Sequence, residues 1–220
     1  MDAARRLAVF DLDGTLTRRD SYLPYLIGFL VRHPRRLVRT LHLPWQVCRF
    51  VIGGISNTDL KRQFLHACLG GVRRAEVRRW TEAFVDGLIA RGFRRDALAA
   101  LEQHRQNGDV LVLLTASFDL YADELARRLK FDQVICTQAE WRGDRLSGNL
   151  ASPNRYGAEK LRCLTELKKA YPAATIIAYA DHHSDLPLLR FADKGILING
   201  TAHAQTLAAR DGIPCLQWRR

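Results

Sequence analysis

The sequence predicts an α/β protein, a doubly wound parallel sheet interrupted after its first strand by an inserted helical module. Three observations carry that expectation. Short continuous apolar runs end abruptly in polar turns, the pattern of strands buried on both faces. Segments with helical spacing of apolar residues lie between those runs. One stretch, residues 20–95, breaks the alternation.

The first run, Leu7-Ala8-Val9-Phe10, closes on Asp11-Leu12-Asp13-Gly14-Thr15. Further runs of this form are residues 110–114, 175–179 and 195–198, with a weaker one at 133–136. Helical patterns fill the gaps. Residues 96–106 stop at Asn107-Gly108, a favourable helix end. Residues 118–129 place Leu120, Leu125 and Leu129 on one face. Residues 158–170 end before Tyr171-Pro172, 185–192 follow Ser184, and 201–210 end before Gly212. Residues 141–146 read as a small hairpin turning at Gly143-Asp144. Residues 1–19 and 96–220 are then the core. Residues 20–95 hold helical pieces separated by Pro34, Pro44, Gly53-Gly54 and Gly70-Gly71 and form a helical cap.

Charge follows the same division. Between Arg18 and Arg95 sixteen Lys/Arg stand against five Asp/Glu, which accounts for the whole net charge of +11. Such a field recruits phosphate-bearing partners: phosphorylated metabolites, anionic lipid headgroups or nucleic acid. A solvated basic face with no partner is the alternative. The five cysteines (Cys48, Cys68, Cys136, Cys163, Cys215) are scattered and lack a C-x-x-C spacing. They argue against zinc or disulfide frameworks and for a reducing compartment, mostly as small core residues. Arg5 and Arg6 precede too short an apolar run for a leader, and residues 21–31 fall far short of the ~20 apolar residues of a spanning helix. A cytoplasmic location is expected, with peripheral contact at the inner membrane face.

Ligands of an open parallel sheet bind beyond the carboxyl ends of its strands, so each strand tip is a candidate. At the first, Asp11 and Asp13 lie two apart in extended chain and point the same way, a costly pairing without a cation or proton. Gly14 lets the chain turn and bring backbone N–H groups towards an anion. At the second, Thr115-Ala116-Ser117 ahead of a helix offers a hydroxyl and helix-start amides, although an ordinary N-cap explains Ser117 equally well. Lys160, on the first turn of its helix, would neutralise phosphate if it faces the cleft and is otherwise a surface lysine. At the fourth, Asp181 and Asp185 supply the oxygen donors that suit Mg²⁺. His182-His183 between them raises zinc or iron as an alternative, and Ser184 reads as an N-cap.

In sequence order these clusters resemble the four motifs of the haloacid dehalogenase superfamily. Asp11-Leu12-Asp13-Gly14-Thr15 resembles the DxDGT motif, Thr115 the second-motif hydroxyl, Lys160 the third-motif lysine, and Asp181 with Asp185 the fourth-motif acids. The insertion is similar to a C1-type cap on a Rossmann-like core, and the whole chain most resembles the IB group that includes phosphoserine phosphatases. The resemblance implies a Mg²⁺-dependent phosphatase. Asp11 would attack phosphorus and become an aspartyl-phosphate, and Asp13 would protonate the leaving oxygen and then activate water. Thr115, the Ala116 amide and Lys160 would hold the phosphoryl oxygens. Asp11, the Asp13 carbonyl and Asp181 would hold the metal, supported by Asp185. Superfamily dehalogenases lack an acid at the position of Asp13. One departure is Ala180 where the fourth motif usually has Gly.

The substrate is less legible. Asp20 stands where phosphoserine phosphatases carry a Glu that grips the substrate ammonium. The cap interleaves residues such as Tyr22, Leu26, Trp45, Phe50 and Ile52 with Arg32, Arg35, Arg36, Arg39 and Arg49, a mixture suited to an anionic bilayer surface. That cap resembles those of bacterial phosphatidylglycerophosphate phosphatases. Three readings follow: a lipid-linked phosphomonoester, with Asp20, Arg32, Arg35 and Arg36 as cap-side substrate residues; a small metabolite such as phosphoserine; or a catalytically retired binding protein, nucleic acid being the least expected partner.

Overall fold

The structure, a computed structural model, describes residues 6–219. Met1–Arg5, on which the leader expectation and the start of the first core segment rest, lie outside the described residues.

The chain opens with β1 (Arg6–Phe10) and a wide turn over Leu12–Leu16, in which the Thr17 N–H donates to the Leu12 carbonyl at 2.9 Å. It then runs through α1 (Tyr22–Arg32), a 3₁₀ segment at Pro34–Thr40, α2 (Leu43–Val51), α3 (Asn57–Leu69) and α4 (Arg74–Arg91). It returns as α5 (Arg95–Gln106), β2 (Val110–Phe118), α6 (Asp119–Arg128) and β3 (Gln133–Thr137). The hairpin of β4 (Ala139–Arg142) and β5 (Arg145–Leu150) pairs Arg142 with Arg145 around the expected Gly143-Asp144 turn. Then come α7 (Ala158–Ala170), β6 (Thr175–Ala180), α8 (Leu186–Phe191), β7 (Lys194–Ile198), α9 (Ala202–Arg210) and β8 (Cys215–Leu216).

Six strands form one parallel sheet in the order β3-β2-β1-β6-β7-β8. Alternation along β1 and β2 shows why it is wound on both faces. Ala8, Phe10, Leu111 and Leu113 pack with Ala97 and Leu101 of α5 and Tyr121 and Leu125 of α6. Leu7, Val9, Val112 and Leu114 pack on the other side with residues of α7, α8 and α9. The first of these cores continues without a break into Tyr25, Phe29, Leu65 and Trp80 of the helical insertion, so the cap is seated on the α5/α6 face.

The expected fold class stands, with three local corrections. Strand β2 runs four residues past its expected end, to Phe118, through an irregularity between Leu114 and Phe118; Thr115, Ala116 and Ser117 are therefore strand residues, not helix-start amides. Ser117 does not cap α6, whose flanking residue Phe118 makes no side-chain cap bond. Nor does Ser184 cap α8: residues 183–185 form a short 3₁₀ turn in which the His182 side chain accepts from the Ser184 N–H. The two-residue β8 is too short to leave a sequence pattern. Cys68, Cys136 and Cys163 are buried as expected, whereas Cys48 and Cys215 are exposed.

Candidate active site

The turn after β1 is set by Gly14. Its φ of +78° is a left-handed conformation, and a Cβ there would lie 2.0 Å from Asp181 Oδ2. Glycine is thus required so that the Asp181 carboxylate from the tip of β6 can close on the turn from β1, where Thr15 Oγ1 donates to Asp181 Oδ1 at 3.3 Å. Asp11 sits one residue beyond β1 and extends its ladder, its N–H donating to the Tyr179 carbonyl at 3.0 Å.

The tips of β1, β2 and β6 and the first turn of α7 line one cleft of about 270 Å³, walled by Asp11, Asp13, Thr115, Lys160, Asp181 and Asp185. Ala116, Asp20, Tyr156, His182 and Ser184 complete it. At its floor Lys160, 4% exposed, places Nζ 2.7 Å from Asp11 Oδ1 and 2.7 Å from Asp185 Oδ2. The bland expectation of a surface lysine is therefore overturned.

Carboxylates outnumber ammonium groups here, but burial dominates their titration behaviour. Burial pushes Asp11 up to about 7; Lys160 opposes this, while Asp185 and Asp181 add to it. Burial likewise pushes Asp181 up to about 6 against the pull of Lys160. Burial works against the charge of Lys160, but Asp11 and Asp185 reverse this and hold its proton firmly. Asp185 Oδ1 is buried with no hydrogen-bond partner among the described residues.

A hard cation suits this arrangement: an all-oxygen donor set, surplus negative charge and an unpartnered buried oxygen. Among the described residues no three His, Cys, Asp or Glu side chains already converge in ligand geometry, and Lys160 occupies an oxygen of both Asp11 and Asp185. Mg²⁺ needs only one or two carboxylates and completes its shell with water and substrate oxygens, so the residues fit it. The zinc or iron alternative is not favoured. His182 lines the cleft but spends Nδ1 on Ser184 Oγ at 2.8 Å, and His183, its ring 4.1 Å from that of His182, does not line the cleft.

Asp13 is held differently. Its Oδ1 accepts from the Ser21 N–H at 2.7 Å and its Oδ2 from Ser117 Oγ at 2.5 Å. Behind Ser117 a hydroxyl chain continues: Tyr121 Oη donates to Ser117 Oγ at 2.8 Å, and Ser21 Oγ donates to Tyr121 Oη at 3.1 Å. Burial raises the Asp13 pKa and these hydrogen bonds to Ser117 and Ser21 restrain it.

The cap's contribution differs from expectation. Asp20 reaches the cleft, but its Oδ2 accepts from the Leu23 N–H at 3.0 Å. Arg36 is spent on the Cys68 and Gly70 carbonyls at 3.0 and 2.5 Å, a structural clamp outside the cleft. Arg32 lies over the Trp80 ring, and neither it nor exposed Arg35 lines the cleft. Lys61 of α3 does not line the cleft either, but it bonds to Ala116, which does. It is buried, donates to the Ala116 carbonyl and to Asn154 Oδ1 (3.0 Å), and is pulled down to about 8 by burial, against the attraction of Asp13 and Asp20. Its signal was present in the sequence: Lys61 falls on the same helical stripe as Leu65 and Cys68.

A profile described as haloacid dehalogenase-like hydrolase matches residues 8–190. Protein CicA of Caulobacter vibrioides is 32% identical over 192 residues, covering 86% of this chain and 83% of that protein. A Mycobacterium tuberculosis protein named phosphoserine phosphatase SerB1 is 25% identical, covering 93% and 68% respectively. A crystal structure of a Bordetella pertussis protein of unknown function shares the fold, with a TM-score of 0.83 at 24% identity over 97% of this chain and 99% of that one.

Proposed function

Because the chain belongs to the haloacid dehalogenase-like hydrolase family, we propose that it is a Mg²⁺-dependent phosphomonoester hydrolase that works through an aspartyl-phosphate on Asp11. The observation that carries this reading is the meeting of Asp11, Asp13, Thr115, Lys160 and Asp181 in one cleft from four separate elements. Asp11, Asp181 and the Asp13 carbonyl would hold Mg²⁺ with Asp185 behind them, and the ion would supply charge neutralisation for the phosphoryl oxygens.

The chain's own groups divide the remaining work. Lys160 fixes the Asp11 carboxylate and presents positive charge where phosphoryl oxygens gather, and Thr115 and the Ala116 N–H offer donors to the same oxygens. Asp13, with a raised pKa, carries the proton that the leaving alkoxide needs, and then accepts one from the attacking water. Ser117→Ala removes a hydrogen bond that favours the charged form of Asp13, so its pKa climbs further. The alkaline limb of the kcat/KM profile is expected to move to higher pH, with kcat falling about tenfold; an unmoved limb removes Asp13 from the acid role.

Magnesium binding should be proton-linked. Asp11 and Asp181 titrate higher in the folded protein than unfolded, so the metal-free fold holds protons that the unfolded chain has released, and its stability falls as pH rises from about 4 towards 7. Mg²⁺ reverses this. Its stabilisation of the melting temperature is expected to be larger at pH 7.5 than at pH 5.5, measured by differential scanning fluorimetry with Mg²⁺ and with EDTA.

The leaving group is read from a second cavity, about 470 Å³, that opens beside Asp13 and Ser117 and is walled mainly by Tyr22, Leu23, Phe50, Val51 and Phe64. Leu23 and Val51 are also exposed, and α2, which supplies Phe50 and Val51, exposes Trp45 (65%) as well, with exposed Leu41 (77%) and Ile52 (78%) flanking it in the chain. That combination favours a lipid-linked or otherwise apolar phosphomonoester at an anionic membrane surface over phosphoserine. No helix of the described residues is long and apolar enough to cross a membrane, and the contact proposed here is a peripheral one. A phosphomonoester panel with phosphoserine, histidinol phosphate and lipid phosphates, run with Mg²⁺ and with EDTA, separates the readings. Turnover of lipid phosphates above the rest is expected, and phosphoserine as the best substrate would reject the lipid assignment.

A further inference from the structure

A third cavity, about 550 Å³, shares only Asp20 with the phosphoryl cleft. Its walls come from both linkers that join cap to core and from α1 and α4. The linkers are laced together: the Arg18 N–H donates to the Gly92 carbonyl at 2.8 Å, the Arg94 N–H to the Leu16 carbonyl at 2.9 Å, and Thr17 bridges Phe93. Among the described residues four arginines, Arg18, Arg19, Arg32 and Arg91, line this cavity against the single carboxylate of Asp20. Arg18 uses Nε on the Phe93 carbonyl at 3.1 Å, and Arg32 lies 4.5 Å above the Trp80 ring and donates Nη1 to the Gly28 carbonyl at 3.3 Å. Both keep further N–H groups for a ligand. The floor is apolar, with Trp80, Phe84 and Leu88.

Guanidinium forks around an apolar floor define the ligand chemistry: a phosphate or phosphonate oxygen cluster for the arginines and a flat or apolar body for Phe84 and Leu88, Trp80 being buried beneath Arg32. Occupancy would reach the reaction through one bond. Ser21 stands in the wall of this cavity, and its N–H is the donor that holds Asp13 Oδ1. We propose that the cavity is an effector site for a phosphate-bearing anion with an apolar body, and that filling it fixes the linker that orients Asp13. This carries the function of the basic segment beyond substrate attraction.

The probe is 1-naphthylmethylphosphonate, which has the required charge and flat body and a C–P bond that hydrolysis leaves intact. In EDTA the phosphoryl cleft, with five carboxylates against Lys160, repels it, so calorimetric binding reports the linker cavity. Wild-type protein is expected to bind one equivalent, and the exposed-residue double variant Arg19→Ala/Arg91→Ala at least tenfold more weakly. With Mg²⁺ present, the probe is expected to change kcat for p-nitrophenyl phosphate at least twofold in wild type and not in the double variant. Competition by phosphatidate vesicles, which the double variant loses, assigns the natural phosphate to a lipid headgroup, and absence of competition assigns it to a soluble ligand. Wild-type affinity in the double variant, or binding that tightens in Asp11→Asn, places the probe elsewhere and overturns the site. Unchanged kcat on saturation overturns the coupling to Asp13.

Discussion

Asp11→Asn is expected to lower turnover by about 10⁴-fold or more while the metal-free protein melts no lower than wild type. The two halves come from one observation. Asp11 is the carboxylate that Lys160 pins at 2.7 Å at the tip of β1, so removing its charge removes the nucleophile. Yet burial and the charges of Asp185 and Asp181 raise its pKa to about 7, which means that ionised Asp11 is a liability to the empty fold. Asparagine keeps the shape and deletes the liability, and Lys160 retains Asp185 as a partner. Steady-state kinetics and a melting curve on the same preparation check both halves. A variant that is inactive because it melts far below wild type would show that Asp11 serves structure first.

Lys160→Met should act in the opposite sense. The lysine is buried between Asp11 and Asp185, and its loss leaves carboxylates in the interior without their cation. Breaking a buried pair in this way costs about 3–5 kcal/mol, which for a chain of this size lowers the melting temperature by roughly 10 °C or more. The loss should depend on pH. Lys160 is the strongest influence pulling the Asp11 pKa down, so without it Asp11 titrates still further above its unfolded value. Stability then declines as pH rises from about 4 through that higher value, and the deficit against wild type is expected to be smaller at pH 5 than at pH 8. A deficit independent of pH would mean that Lys160 matters for packing alone.

The parts of this molecule that were legible in the sequence are those where chemistry sits at strand ends. Buried parallel strands must be apolar throughout, so a polar residue that ends the apolar run stands out; Asp11 and Asp181 were visible for that reason, and Thr115 because it follows Leu114, where the regular pairing of β2 breaks. Gly14 was visible as a turn residue, but its close approach to Asp181 was not, because the distance of a missing Cβ from a residue far along the chain has no local signal. Ser117 was misread. A strand that carries on through an irregularity and a strand that stops at a helix N-cap present the same Thr-Ala-Ser, and only the pairing of Phe118 with Thr137 decides between them. The hydroxyl chain from Ser21 through Tyr121 to Ser117 joins linker, helix and strand, and no spacing rule connects such positions.

The cap was harder for a physical reason. Arginine is the default residue of a basic surface, so counting arginines located the charge but not its use. Arg36 turned out to clamp backbone carbonyls, and Arg32 to sit on an aromatic ring. Lys61 reached Ala116 because it replaces an apolar residue on a buried stripe, and a cation out of place carries more information than a cation among many.

The central claim, that Asp11 takes the phosphoryl group, has a direct measurement. Protein turning over ³²P-labelled phosphomonoester is quenched in acid, and the labelled peptide is mapped. The expected result is label on Asp11 that appears with Mg²⁺ and is absent in EDTA and in Asp11→Asn. Label on another residue, or steady turnover with no acid-stable protein-bound phosphate at any time after mixing, would contradict the account.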